Sequence, residues 1–381
     1  MDFTRLREFQ DWMSEKWRIP GSTAIAYVDG KEVYRHSAGY ADVESGRKMK
    51  GDELFFMYSI SKVVTTLAAL QLLEKGLYHL NDGLDIYMPE FHGVKVRKVL
   101  PDGTETAEDA KGWLRVRDLF CMTAGYDYNV GSEQIKRRMT PEGTISTAEL
   151  AKALAETPLL FEPGSEWCYG LSHDILAAFV EKLSGQRFSE YVRENIFEPV
   201  GMKDSCFHMP REEMERRMAT QYAFSDEKGI YEKINLSNWS VLGEDHDSGG
   251  AGVISSADDM ARLAKCLAAG GITESGERII SKRTIDLWRT NQLEGKQLET
   301  YNWDGLYGYG YGLGVRTHMD RAKSGSLSSL GEFGWSGAAG GLMAVDPDIN
   351  AAFFYVYHML NNQEYFVTPR FRNIFYACLE K

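Results

Sequence analysis

Between Leu54 and Leu73 the chain carries a single charged side chain, Lys62, in an otherwise apolar run of helical spacing. A lysine taken out of water is costly unless it is paired or has a task. This position therefore restricts how the helix can be packed. Ser59 stands three residues earlier, in Ser59-Ile60-Ser61-Lys62. On a helix, residues i and i+3 are neighbours with Cβ atoms roughly 5–6 Å apart, so Ser59 and Lys62 share a face. If the helix starts near Ser59, the hydroxyl sits at its amino end, where a developing negative charge is favoured. A desolvated amine can be neutral and accept the serine's proton, which would make Ser59 a nucleophile. On these four residues alone a plainer reading stays open, a capping serine followed by a lysine that snorkels to solvent.

The surroundings of this run set the fold class. Leu6, Phe9, Trp12, Met13 and Trp17 predict an amphipathic first helix. STAIAYVDGKEVYRHSAGYADV predicts two strands joined at Asp29-Gly30, a strong hairpin signal. Gly76 is placed to end the Ser59 helix. From about 80 to 210 the pattern is mainly helical with long loops, punctuated by Pro158, Pro163, Pro199 and Pro210. Strands return after 211 in GGAGVISS, YGYGLGVRT, GGLMAVDP and AAFFYVYHML, and RFRNIFYACLEK predicts a last helix. Regular βαβ alternation is absent. The order suits an α+β fold with an antiparallel sheet flanked by helices. Residues 1–78 and 211–381 are expected to form the core, residues 79–210 an inserted helical region, with a cleft between them. GYGYGLG, Gly308 to Gly314, misses the GxGxxG nucleotide pattern and is expected in a strand or site wall.

Composition removes several function classes. Lys and Arg number 43 against 55 Asp and Glu, a net charge of −12, which argues against non-specific nucleic-acid binding. No run of about 20 consecutive apolar residues exists to span a membrane, and the amino terminus lacks a secretory pattern. The five cysteines, Cys121, Cys168, Cys206, Cys266 and Cys378, follow no zinc spacing and read as reduced thiols of a cytoplasmic protein. Cys168 adjoins a segment of interest. No cofactor or metal is implied. None of the eight histidines is an evident member of a triad, and His173 is expected to be exposed at a helix start. The GxSxG elbow of α/β-hydrolases is missing, since the glycine-rich turn reads GWSGAAG.

Taken in order, these segments resemble the serine hydrolases of the class C β-lactamase and penicillin-binding protein superfamily, which includes the family VIII carboxylesterases. The resemblance runs through IPGSTAIAYVDGKEV, SISK, VRDLFCMTAGYDY, FEPGSEWCYGLSHDILAAFVEKLSG, SGGAGVISSADDMARLA and FGWSGAAGGLMAVDP. It implies that Ser59 is acylated with Lys62 as its partner. It places Tyr169, in Tyr169-Gly170-Leu171, at the second motif as a general base, before a helix that Ser172 is expected to cap. Trp335-Ser336-Gly337 matches the third motif, with Gly337 allowing close backbone approach. The amides of Ser59 and Ala338 would form the oxyanion hole. Trp335 and Leu171 depart from the lysine and asparagine of carboxylate-recognising relatives. They are expected, with Ser336 and Gly337, to line a site for small neutral acyl substrates. Met122 stands where many relatives carry histidine and is read as structural. The expectation is an esterase or amidase acting on a small-molecule ester, amide or β-lactam-like substrate. A β-lactamase, D-alanyl-D-alanine carboxypeptidase or D-aminopeptidase, and a non-catalytic binding or regulatory relative, remain as alternatives. The oligomeric state is not legible.

Overall fold

Gly21–Val28 is buried along nearly its whole length, so both faces of this strand need cover. In the computed structural model, which describes residues 1–235 and 242–380, it lies between Lys31–Asp42 and Ala351–Tyr357, antiparallel to both. The hairpin expected at Asp29-Gly30 is formed, with φ of +50° and +73° at the two turn residues. Positive φ at both central positions is the type I′ signature that matches strand twist.

These strands belong to an eight-stranded sheet. From one edge its order is Tyr309–Tyr311, Arg316–His318, Phe333–Gly334, Leu342–Asp346, Ala351–Tyr357, Gly21–Val28, Lys31–Asp42 and Arg47–Lys48. All its pairings are antiparallel, as the fold class required. The two-residue strand period divides the core. Ala24, Ala26, Phe353 and Tyr355 face one cluster, and Ile25, Tyr27, Phe354 and Val356 face another. The first cluster is closed by the terminal helices, Thr4–Glu15 and Glu364–Leu379, through Leu6, Met13, Phe371 and Phe375. Each such side chain contributes about 1.5–3 kcal/mol when fully buried.

On the opposite face lie the helix Ser61–Glu74 and the helix Ala257–Ala268. Ser61–Glu74 is buried from Ser61 through Leu72. A helix apolar all round belongs in a core, and this one carries Lys62 with it. It ends at Gly76, φ +69°. The Gly76 N–H donates to Leu73 O at 2.9 Å and the Leu77 N–H to Leu72 O at 3.2 Å, a Schellman closure.

Several elements were not foreseen, among them a buried helix and an exposed hairpin. Ala257–Ala268 sits in the half read as strands, and Ser256 caps it by accepting from the Asp259 N–H. A hairpin of Lys95–Val99 and Glu105–Asp109 interrupts the region read as helical. Its residues are largely exposed and charged, so apolar periodicity gives no signal there. Among the described residues no helix is long and apolar enough to cross a membrane.

Candidate active site

Ser59 sits on a strand-to-helix turn. Leu54–Phe56 pairs with Ile254–Ser256, Met57 N–H donates to Val253 O at 2.9 Å, and Tyr58 then adopts φ +47°. Left-handed backbone at a non-glycine residue costs about 1–3 kcal/mol and persists only where packing holds it. Here Gln221 Nε2 donates to the Tyr58 hydroxyl. The 3₁₀ turn Tyr58–Ile60 leads directly into Ser61–Glu74, which leaves Ser59 half-buried and Lys62 fully buried one turn on.

The shared helix face expected from the spacing is realised. Lys62 Nζ donates to Ser59 Oγ at 3.3 Å, to Tyr128 OH at 2.6 Å and to Gly250 O at 2.8 Å, which accounts for all three ammonium protons. Nζ also lies 4.5 Å from the Tyr169 ring centroid and 5.3 Å from that of Tyr128. Tyr128 is 40% exposed, yet its hydroxyl is turned inward onto Nζ. Burial of that end, and next the neighbouring Tyr169, push its phenol well above the ordinary tyrosine range.

Tyr169 is half-buried in an aromatic box. Its ring centroid lies 5.4 Å from Tyr128, 5.6 Å from Trp335 and 4.8 Å from Trp303. Its hydroxyl accepts from Trp335 Nε1 at 2.9 Å. Trp335 is thus not an open apolar wall. It is 4% exposed, packs edge-on against Tyr311 at 5.2 Å, and spends its N–H on the tyrosine of the second motif.

The close approach expected of Gly337 is present. A Cβ there would lie 2.6 Å from Met57 O, so the turn is pressed against the backbone just before Ser59. Gly337 N–H donates to Gly341 O at 2.8 Å. Asn362 Nδ2 holds the carbonyls of Gly337 and Ala338 at 3.1 and 3.0 Å. Ser336 and Trp335 border a cavity of about 270 Å³ that also takes in Glu364. Burial raises the carboxyl of Glu364 above its usual range, against the opposing effect of its hydrogen bond with Ser336.

Other expectations change. Leu171, not Ser172, is the N-cap of the helix Ser172–Ser184, and it makes no side-chain cap. Ser172 is the first helical residue, and its buried Oγ finds no partner among the described residues. Leu171 is 4% exposed and borders a second cavity with Phe56 and Tyr128. His173 is fully buried instead of exposed. Its Nε2 lies 3.3 Å from Phe120 O, and burial depresses its pKa to about 3, which makes it a neutral packing residue. Cys168 has its thiol pKa raised by burial, as for an unreactive thiol. Met122 is buried with φ +58°, and its carbonyl accepts from the Cys168 N–H at 2.9 Å.

Sequence reasoning missed Tyr128, Gly250 and Asp174. Tyr128 ends the quoted CMTAGYDY segment, where Tyr126 has an equal claim. Only packing buries Tyr126 and turns Tyr128 toward Lys62. Among the described residues, no group of His, Cys, Asp and Glu side chains converges as a metal site.

Fold and site together define a class, the serine hydrolases of the β-lactamase and penicillin-binding protein superfamily. Residues 9–375 match the family model described as Beta-lactamase, and the chain belongs to that family. Protein Rv1367c of Mycobacterium tuberculosis is 28% identical over 347 residues, covering 89% of this chain and 85% of its own. Esterase EstB of Burkholderia gladioli is 28% identical over 366 residues, covering 90% and 86%. The unliganded, selenomethionyl simvastatin synthase (LovD) from Aspergillus terreus superposes with a TM-score of 0.83 at 23% identity, covering 100% of both chains. That last likeness is one of fold. The protein is an enzyme of this superfamily.

Proposed function

We propose that the protein hydrolyses small neutral carboxylic esters through an acyl-enzyme on Ser59, in a cleft between residues 79–210 and the sheet-bearing remainder. The observation that carries this reading is Lys62 Nζ bonded at once to Ser59 Oγ and Tyr128 OH. Lys62, Tyr128 and Tyr169 act as one proton-transfer unit. The reacting form is the one in which a member of this unit has given up a proton to solvent. As Oγ attacks the ester carbonyl carbon, the serine proton passes to that member. Trp335 supplies a donor to the Tyr169 oxygen. The amides of Ser59 and Ala338 hold the oxyanion. Collapse breaks the bond to the leaving alkoxide, which takes up the proton. Water then attacks the acyl-Ser59 ester by the same route in reverse.

Neutral substrates are favoured because Trp335 and Leu171 offer neither a cation nor an amide where carboxylate-recognising relatives carry them. The relative named Esterase EstB supports the same reading. All five cysteines are unpaired, which fits a reducing, cytoplasmic setting. The test is labelling with a fluorophosphonate followed by peptide mapping. Modification should fall on Ser59 and vanish in Ser59→Ala, whose melting temperature should stay near wild type. A label on Ser336, or one that survives Ser59→Ala, would remove the assignment.

A further inference from the structure

Next to Lys62 the fold buries an acid–histidine pair that the reaction described above does not use. Asp174, in the first turn of Ser172–Ser184, is 2% exposed and His246 is 7% exposed. Asp174 Oδ1 lies 3.2 Å from His246 Nε2 and accepts from Ser248 Oγ at 2.7 Å and from the Gly250 N–H at 3.4 Å. The carbonyl of the same Gly250 receives the Lys62 proton at 2.8 Å. A Cβ on Gly250 would lie 2.7 Å from Asp174 Oδ2 and 3.5 Å from Lys62 Nζ. Carboxylate and ammonium therefore flank one glycine, with no room for a side chain between them. The loop is fixed further by Thr65 Oγ1, which donates to Gly249 O at 2.7 Å, and by Ser61 Oγ, which accepts from the Val253 N–H at 3.0 Å.

We propose that Asp174, closed by His246, is a positioning residue that fixes Lys62 Nζ against Ser59 and Tyr128 across Gly250 and supplies the negative charge balancing the ammonium. This rests on the reading of Ser59 and Lys62 as the reacting pair. Burial pushes the Asp174 carboxyl upward, but hydrogen bonds from His246 and Ser248 and the charge of Lys62 bring it below the ordinary range. It is ionised at neutral pH. The groups facing it are few. Lys62 comes from the nucleophile helix, His246 from the glycine loop, Tyr128 from the segment after Phe120, and neutral His173 from its own helix. Asp247, beside His246, is already engaged by Arg187 and His208.

A carboxylate that only clamped the loop would affect rate without affecting its pH dependence. One whose charge balances the ammonium alters both, because removing it lets the proton-transfer unit give up its proton at lower pH. The test measures the rate of fluorophosphonate labelling of Ser59 between pH 5 and 9, with thermal melts on each variant. Asp174→Asn should lower the plateau about tenfold or more and move the acid limb to lower pH by roughly one unit. Ser248→Ala removes a donor from a carboxylate that stays ionised, leaves more of its charge facing the ammonium, and should move the acid limb the other way. An acid limb unmoved in folded Asp174→Asn overturns the proposal, whatever the plateau does. If Asp174→Asn does not fold, an unmoved limb in Ser248→Ala overturns it. Failure to label Ser59 in the wild-type protein is a separate result, which removes the underlying reading.

Discussion

Lys62 Nζ lies closer to the hydroxyl of Tyr128, at 2.6 Å, than to Oγ of Ser59, at 3.3 Å. The amine is thus shared between a nucleophile one turn away and a tyrosine from a distant loop. In Tyr128→Phe the ammonium loses its shortest hydrogen bond while the ring packing stays. kcat/KM on p-nitrophenyl butyrate should fall about 100-fold or more, the usual scale for losing an acid–base group. The stability change should be only about 1–2 kcal/mol. A loss of activity under threefold would make Tyr128 a wall of the cleft.

Lys62 and Tyr169 offer a test of joint action. If they transfer the proton as one unit, each single loss is severe and the double loss adds little. Lys62→Ala and Tyr169→Phe should each cost about three orders of magnitude, and the pair not much more. Lys62→Arg should be nearly as damaging as Lys62→Ala, because guanidinium does not become neutral at working pH. Additive losses in the double variant would separate the two residues into independent roles.

Trp335 bears on both substrate choice and chemistry. Small neutral esters should be turned over far better than penicillins or cephalosporins. A buried carboxylate without its partner costs several kcal/mol, a factor on the order of a thousand in rate. Comparable kcat/KM on the two substrate sets would reverse the esterase reading. Trp335→Phe keeps an aromatic ring but removes the donor to Tyr169 OH. It should lower kcat about fivefold, since a neutral hydrogen bond is worth about 1 kcal/mol, while leaving KM nearly unchanged.

His173 and His358 predict the acid behaviour of the fold. Both are fully enclosed and neutral, and burial lowers their pKa values to about 3 and about 4. In the unfolded chain each takes up a proton near 6.5, so the unfolded state binds more protons below that pH. The stability these histidines lend is therefore complete above pH 6.5 and is lost as pH falls. By pH 5 the loss is about 2 kcal/mol for each. Chemical denaturation at pH 7 and pH 5 should show it, with His358→Gln losing about 2 kcal/mol less across that interval than wild type. An equal loss in both proteins would assign the acid sensitivity to other groups.

The parts that were legible in the sequence are those whose physics is local. The Ser59–Lys62 face follows from three residues of helical spacing, the hairpin from Asp29-Gly30, and the helix end from Gly76. Each is settled within a few residues by turn geometry and backbone hydrogen bonds. The family resemblance implied Tyr169 and the Trp335-Ser336-Gly337 turn as parts of one site, and a hydrogen bond joins Trp335 to Tyr169. Tertiary structure alone decided the rest. Tyr128 is 66 positions from Lys62, and Gly250 is 188 positions away; no periodicity selects them from other tyrosines and glycines. The same holds for His173, which the helix start at Leu171 turns inward against Phe120 O instead of out to solvent. Which protons Lys62 shares, and with which partners, depends on how three separate segments pack around one buried amine, and that information lies in their contacts.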